Sequence, residues 1–229
     1  MRERLGQNEV MDESKRVHAT ELGPISDLVH PRSITDADRI RFEGYLAEIF
    51  SALGLDINNP DAVATPRRHF RALYDATIGY EGDPKILTAF PTVCHGGANC
   101  ELAQVVEGPI PFFSLCEHHA LPYFGEAWVG YVAHERIIGI SKLTRLVRVV
   151  TRRFGVQEEM THEIADELTR MMEPHGVAVY MEAHHLCTQM RGVRELASKT
   201  RTTAFRGNYA ANASLRSEFF DVAGLRRPS

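Results

Sequence analysis

Hydrophobic residues recur at helical spacing in the first third of the chain, after a leading segment that lacks such a period. Residues 1–34 show no sustained apolar pattern, which predicts a flexible N-terminal arm. Over 35–54, apolar positions three and four residues apart predict a helix that ends at a glycine. Thr65 and Pro66 open a second predicted helix, with the hydroxyl at the N-cap and the proline at the first helical position, and this helix runs to about Gly79.

The rest of the chain alternates between strand-like and helix-like patterns. These patterns predict elements over 102–107 and 123–133 (strands), 141–154 and 156–173 (helices), 177–187 and 200–205 (strands) and 212–222 (helix). Ser141 is predicted to cap the first of the two central helices. This order favours the α+β class, with an antiparallel sheet backed by helices, over a doubly wound fold. We therefore expect one domain over 35–229, with a helical N-terminal part at 35–80 and a sheet-containing core at 100–222.

The composition is that of an ordinary globular protein. Of the 229 residues, 44% are hydrophobic and 24% are charged, which excludes a collagen-like chain, a wholly disordered chain and a small disulfide scaffold. The formal net charge of -4 argues against bulk nucleic-acid binding, because such binding is accompanied by a strong basic excess. An anionic substrate would need a local cluster of positive charge.

The sequence also bears on the cellular compartment. No stretch approaches the ~20 apolar residues of a membrane helix, and the charged residues at 1–16 lack the apolar core of a secretory signal. We therefore expect a cytoplasmic protein without a membrane partner, in which thiols stay reduced. The four cysteines are then expected to be free, metal-bound or catalytic rather than paired in disulfides.

Two short clusters carry metal-ligand chemistry. Cys116 and His119 have the C-x2-H spacing that lets a thiolate and an imidazole reach one zinc ion, although this spacing alone is a weak signal. Near the end of a predicted strand, alternation places His185 and Cys187 on one face and His184 on the other. For the second cluster taken alone, the alternative is a core cysteine beside a hydrogen-bonded histidine.

Together the clusters offer a three-ligand zinc site composed of Cys116, His119 and Cys187. Three protein ligands leave a fourth position for water, which is the pattern of catalytic rather than structural sites. His118 and His185 stand beside these ligands, and imidazoles exchange protons near neutral pH, so the set indicates hydrolytic chemistry. Alternatively, Cys94 or Cys100 would supply a fourth ligand and make the site structural.

Basic residues accompany both clusters. Lys142 and Arg145 lie in the first turn of a predicted helix, whose N-terminus attracts anions. Arg191 and Lys199 flank the second cluster. A solvated basic face is the alternative, but beside an open zinc site these residues favour a phosphorylated substrate.

Gln157 and Glu158 begin the next predicted helix. A carboxylate at a helix N-terminus stabilises the helix by itself. A buried amide and carboxylate can also recognise a guanine edge, because the carboxylate accepts hydrogen bonds from two neighbouring N–H groups. The residues alone do not choose between these two roles.

Several ordered motifs resemble those of the GTP cyclohydrolase I family. They are Phe112-Phe113-Ser114-Leu115-Cys116-Glu117-His118-His119, Ile138-Gly139-Ile140-Ser141-Lys142-Leu143, Val156-Gln157-Glu158, His185-Leu186-Cys187, Met190-Arg191-Gly192-Val193 and Ser198-Lys199-Thr200. The resemblance covers roughly residues 36–222 and is strongest over 110–207. It implies the tunnelling fold, a homodecamer of two pentamers with active sites between subunits, GTP as substrate and Zn²⁺ as cofactor.

Carried over position by position, the resemblance implies a role for each candidate residue. The zinc ligands would be Cys116, His119 and Cys187, and the proton carriers would be His118 and His185. Zinc-bound water would attack C8 of the purine, formate would leave, and a rearrangement of the ribose would give 7,8-dihydroneopterin triphosphate, in the first step of folate and pterin biosynthesis. The guanine would be held by Glu158 with Gln157, and the ribose and triphosphate by Ser141, Lys142, Arg145, Arg191 and Lys199.

The chain departs from the family pattern in a few places. Glu159 stands where a basic residue is expected, and the loop 90–108 and the segment Arg206-Gly207-Asn208 are atypical. Two alternatives to the full reaction are a paralogue that only opens the purine ring or uses a modified purine, and a non-catalytic, zinc-stabilised regulator. The intact His118 and His185 argue against the regulator, which has no chemical need for them.

Overall fold

The computed structural model describes residues 29–87, 89–91, 104–134 and 136–225. Cys94 and Cys100, considered above as further metal ligands, lie outside the described residues, as do residues 1–28 of the predicted arm. Within the described ranges, no helix has the length and hydrophobicity needed to cross a lipid bilayer.

The N-terminal part contains the helices α1 (Asp36–Ala52) and α2 (Thr65–Ala76), followed by 3₁₀ turns at Ile78–Glu81 and Pro84–Leu87. Thr35 caps α1 as part of a capping box: its side chain accepts a hydrogen bond from the backbone N–H of Asp38, whose carboxylate accepts one from the backbone of Thr35. The predicted cap of α2 is wrong by one residue. Thr65 is the first helical residue, and the N-cap, Ala64, makes no side-chain hydrogen bond.

The described residues form seven strands, five of which make up the main sheet at the centre of the domain. The strands are β1 (Ala89–Pro91), β2 (Gln104–Cys116), β3 (Pro122–Val132), β4 (Arg136–Ile138), β5 (Phe154–Gly155), β6 (Gly176–His185) and β7 (Thr200–Gly207). The remaining helices are α3 (Ile140–Thr151), α4 (Gln157–Met172), α5 (Leu186–Gln189), α6 (Asn208–Ala211) and α7 (Ala213–Val222). The main sheet has the order β5-β2-β3-β6-β7 and is antiparallel except for the short pairing of β5 with β2, while β1 pairs with β4. The predicted α+β class, with helices backing a largely antiparallel sheet, is confirmed.

The two faces of the sheet bury different clusters. Odd-numbered positions of β3 and β6, such as Val129 and Val179, pack with the apolar stripes of α3 and α4, which include Leu146 and Ile164. Even-numbered positions join a smaller cluster on the other face, which contains Trp128, Ala178, Tyr180, Tyr209 and Phe219. Because side chains alternate along a strand, one sheet supplies both clusters, and both faces of its middle strands are covered.

Among the differences from the predicted elements, three bear on the site. β2 extends well beyond residue 107, because its pairing with β3 resumes after an irregularity between Glu107 and Ile110. β6 ends at His185, so that Cys187 lies in α5 instead of on the strand. Ser141 lies inside the first turn of α3 and does not cap it; the N-cap is Gly139.

Candidate metal centre and active site

Two thiols and one imidazole converge at one end of the sheet. The donor atoms of Cys116, His119 and Cys187 all lie within 4.8 Å of one another. Both cysteines are buried, whereas His119 is exposed. The site can therefore accept a soft divalent cation with three protein ligands, one of them at the solvent boundary.

The hairpin between β2 and β3 brings the first two donors together. Cys116 is the last residue of β2, and its carbonyl oxygen accepts backbone hydrogen bonds from His119 at 3.3 Å and from Ala120 at 2.7 Å. Ala120 has a φ of 53°, the left-handed conformation that closes such a turn. The chain thus reverses direction within four residues, and this turn brings the side chains of Cys116 and His119 close together.

The third donor arrives through the sheet. β6 pairs with β3 so that His185 lies opposite Tyr123, and Tyr123 lies opposite Ser114 of β2. The end of β6 is therefore two strands away from the end of β2, and α5 begins there and carries Cys187 back towards Cys116. In the metal-free chain, burial and the neighbouring Cys116 raise the pKa of the Cys187 thiol. A bound cation would reverse this preference, since metals bind the thiolate.

The two histidines predicted as proton carriers have different surroundings. His118 is exposed, and its Nδ1 lies 3.9 Å from the Sγ of Cys116, the same distance as Nδ1 of His119. His185 is half-buried and stacks on the ring of Tyr123, with centroids 4.5 Å apart and planes 5° from parallel. Burial lowers the pKa of His185, and the charge of Glu158 opposes that shift. The adjacent His184 contacts Phe124 and Gln189 instead.

Gln157 and Glu158 are adjacent in sequence but lie in different environments, one buried and the other exposed. Gln157 is 1% exposed, and its side-chain oxygen lies 2.8 Å from Nε2 of His185. Glu158 is exposed at the start of α4, where its carboxylate can meet a ligand. Sequence reasoning missed Tyr123 as a neighbour of His185, because only the register of β3 against β6 places the two rings together.

The basic residues of α3 line a cleft of about 390 Å³. Its walls include Ser141, Arg145, Arg148 and Arg152, together with Asp83. Arg145 pairs with Asp83 at 2.6 Å. This ion pair was not predicted, since its members are far apart in sequence.

The other basic candidates lie apart or are already paired. Lys142 donates a hydrogen bond to the backbone oxygen of Lys85. Lys199 pairs with Glu182 at 2.5 Å, and Arg201 pairs with the same carboxylate at 2.6 Å. Arg191 is exposed, in the segment that follows α5. The structure therefore gathers Ser141 and Arg145 in one cleft and does not bring Lys199 into it.

An α+β fold that brings two thiols and an imidazole together, with further histidines beside them, has the donor set of a catalytic metal site with three protein ligands, and so fits a metal-dependent enzyme. The model of the GTP cyclohydrolase I family matches residues 42–224. The chain belongs to the GTP cyclohydrolase I family, which is a family of enzymes.

Curated relatives cover most of the chain. The GTP cyclohydrolase 1 of Campylobacter curvus is 40% identical over 79% of this chain and 93% of that relative. The enzyme of the same name from Geobacillus kaustophilus is 43% identical over 76% of this chain and 90% of that relative. The one from Wolinella succinogenes is 40% identical over 79% of this chain and 95% of that relative. Among solved structures, an archaeosine synthase QueF-Like in the apo form is 15% identical, covers 47% of this chain and 94% of that chain, and has a TM-score of 0.38.

Proposed function

We propose that this enzyme converts GTP and water to 7,8-dihydroneopterin triphosphate and formate, with zinc bound by Cys116, His119 and Cys187. The activity is that of its family. The observation that carries the metal assignment is the convergence of the three donor atoms within 4.8 Å from two separate parts of the chain. The ring-opening paralogue and the silent regulator are not favoured, since the relatives bear the name of the full enzyme.

Zinc fits this donor set. Two thiolates and an imidazole are the ligands that zinc prefers, and three of them leave one position for water or substrate. When bound there, zinc supplies a Lewis acid that activates water near neutral pH. Because His119 is exposed, a nucleotide could reach the proposed site from solvent.

The chain's own residues then hold the substrate and move protons. We assign proton transfer at the opening imidazole ring of the purine to His118, whose Nδ1 lies 3.9 Å from Sγ of Cys116, and to His185, which precedes Cys187 by two residues. The exposed carboxylate of Glu158 would accept hydrogen bonds from N1–H and the N2 amino group of guanine. Gln157 would support this contact through its backbone at the start of α4, because its side chain is buried and hydrogen-bonded within the chain.

The triphosphate would be bound by the basic residues of α3 and the segment after α5. Ser141, Lys142 and Arg145 lie in the first two turns of α3. Arg191 is exposed and follows Cys187 by four residues in the sequence. Arg145 would exchange Asp83 for a phosphate group, which, like a carboxylate, can accept two parallel hydrogen bonds from a guanidinium. Lys199 would contribute less, because it does not line the cleft of α3 in which Arg145 lies.

We further propose the homodecamer with active sites between subunits. Support comes from α1, which buries none of its residues in the single chain. Apolar side chains of α1 are widely exposed, among them Ile40 at 73%, Tyr45 at 55% and Ile49 at 52%, and Leu53 at its C-cap is 80% exposed. Exposed apolar surface of this kind marks protein–protein contacts. Sedimentation velocity would reveal a monomer if this assembly were absent.

The domain boundaries and the compartment are part of the same proposal. The helical part at 35–80 and the tunnelling-fold core at 100–222 would act as one catalytic domain of residues 35–229, preceded by the arm at 1–34. A cytoplasmic location fits two thiols that must stay reduced to bind zinc. The net charge of -4 gives no reason to add a nucleic-acid partner.

One incubation tests the proposed reaction. Zinc-loaded protein is mixed with GTP, the products are followed by absorbance and mass spectrometry, and formate is assayed in parallel. Dihydroneopterin triphosphate with an equal amount of formate is expected. Formate without a pterin would identify the truncated ring-opening reaction, and neither product from folded, zinc-bound protein would refute the proposed activity.

A pair of variants tests the phosphate assignment. Arg145→Ala is expected to raise the KM for GTP by at least about tenfold, because a charge-assisted contact contributes about 1.5–3 kcal/mol. Lys199→Ala is expected to raise it less. An unchanged KM for Arg145→Ala would show that the cleft of α3 is not the phosphate site.

A further inference from the structure

Gln157 lies at the centre of a buried hydrogen-bond network that links α4 to β6 and β7. Its side-chain nitrogen lies 3.3 Å from the carbonyl oxygen of Met181, 3.2 Å from that of Thr200 and 3.1 Å from Oγ1 of Thr202. Its side-chain oxygen lies 2.8 Å from Nε2 of His185. Every polar atom of this amide therefore has a partner within the chain.

The surroundings fix which end of the amide is which. Carbonyl oxygens only accept hydrogen bonds, so the terminus that faces Met181 and Thr200 must be the NH₂ group. A flipped amide would set its oxygen against two carbonyl oxygens in a site that is 1% exposed. That arrangement would lose the hydrogen bonds of a buried polar group and add repulsion.

Two hydroxyl groups reinforce this orientation. The hydroxyl of Thr161 donates to the backbone oxygen of Gln157 at 2.7 Å, which leaves its oxygen free to accept from the hydroxyl of Thr202 at 2.6 Å. The oxygen of Thr202 is then the acceptor for the NH₂ group of Gln157. The donors form a consistent chain that ends with the amide oxygen pointing at His185.

The oriented amide determines the tautomer of the histidine. An amide oxygen can only accept, so Nε2 of His185 must carry the hydrogen, and in the neutral ring Nδ1 then holds the lone pair. We propose that Gln157 is a positioning residue, whose buried amide holds the ring of His185 in one orientation and in the Nε2–H tautomer. This inference rests on the proposed function in assigning proton transfer to His185.

The stacking of Tyr123 on His185 further restricts the position of the imidazole ring. The two rings lie 5° from parallel, and the phenol of Tyr123 donates to Sδ of Met160 at 3.0 Å. The amide fixes the rotation of the imidazole within its plane, and the tyrosine fixes the plane itself. Because the NH₂ group of Gln157 is fully used, its amide cannot donate to a purine without breaking this network.

Neutron diffraction on deuterium-exchanged crystals of the zinc-loaded protein, grown at about pH 8.5 without GTP, tests the tautomer directly. Neutron maps locate deuterium atoms that X-ray maps at ordinary resolution do not show. We expect a deuterium on Nε2 of His185, none on Nδ1, and an ND₂ group facing Met181 and Thr200. Deuterium on Nδ1, with or without Nε2, or a reversed amide would overturn the proposal.

A kinetic comparison separates positioning from purine contact. Gln157→Met keeps the length of the side chain and removes the acceptor. It is expected to lower kcat about 10- to 100-fold, the effect seen when a partner that orients a metal-bound histidine is removed, while the KM for GTP changes less than about twofold. A raised KM with an unchanged kcat would instead make Gln157 a purine contact and overturn the positioning role.

Two controls keep these outcomes distinct. Thr169→Val removes a side-chain hydrogen bond to Ala165 on the same helix, about 18 Å along α4, and is expected to leave kcat, KM and zinc content unchanged. If Gln157→Met does not fold, the neutron map of the unmodified protein still decides the tautomer. An inactive protein with the expected deuterium on Nε2 would refute the proposed function and leave the tautomer assignment standing.

Discussion

Replacement of Cys187 by serine tests the metal centre at the ligand that is farthest in sequence from the other two. The residue is 9% exposed, and its Sγ is one of three donor atoms within 4.8 Å of one another. Serine preserves the size of the side chain but exchanges a soft thiolate for a hydroxyl, which zinc binds poorly at neutral pH. The fold should survive, since Cys187 lies in the short helix α5 at the edge of the core.

The expected loss follows from the number of ligands. Structural sites with four ligands bind zinc with apparent free energies of about 10–16 kcal/mol, or roughly 2.5–4 kcal/mol for each ligand. Removal of one ligand from the three found here should therefore weaken zinc binding about 10²- to 10³-fold. Activity with GTP should fall below detection when zinc is not in large excess.

The assay is a competition with a chromogenic zinc chelator, combined with metal analysis of the purified variant. His118→Gln is the matched control, because Nδ1 of His118 lies as close to Sγ of Cys116 as Nδ1 of His119 does, yet His118 is not one of the converging donors. The control should retain zinc at full stoichiometry. Cys187→Ser with unchanged zinc affinity, or His118→Gln without zinc, would refute the ligand assignment.

Three further predictions concern activity and stability. His118→Gln should lower kcat about 10²- to 10⁴-fold in steady-state assays with GTP, the usual contribution of a general acid or base, and a kcat within twofold of the unmodified enzyme would remove His118 from proton transfer. Gly125→Ala should destabilise the protein by about 2–3 kcal/mol in chemical denaturation, because its Cβ would lie 1.8 Å from the backbone oxygen of Glu182; an unchanged midpoint would show that β3 and β6 can separate freely. Glu182 is partly desolvated, which raises its pKa, but its ion pairs with Lys199 and Arg201 outweigh this and leave the pKa lowered. The stability advantage over Glu182→Gln should therefore be full above the pKa of an unfolded glutamate and shrink as the pH falls through the lowered value, whereas an advantage that grows on acidification would contradict this sign.

Structural features formed by residues that are close in sequence are predictable from the sequence. The capping box of α1 joins Thr35 to a residue three positions later, and the stripe of α4 follows from a regular spacing of apolar side chains. The pair formed by Cys116 and His119 is local in the same sense, because a single turn brings them together. In each case the interacting groups are a few positions apart, so periodicity and spacing carry the information.

The surroundings of the site depend on pairings that no local pattern encodes. The register of β3 against β6 stacks Tyr123 on His185, and the arrival of β7 beside α4 occupies the amide of Gln157. Arg145 meets Asp83, a residue 62 positions away, which local spacing does not predict. The longer helices, the main strands and the identities of the candidate ligands are thus predictable from the sequence, whereas the short elements β1, β4, β5, α5 and α6 were not predicted. The tertiary structure alone decided which polar atoms are already satisfied, because a one-residue shift of register would turn every side chain of a strand to the other face.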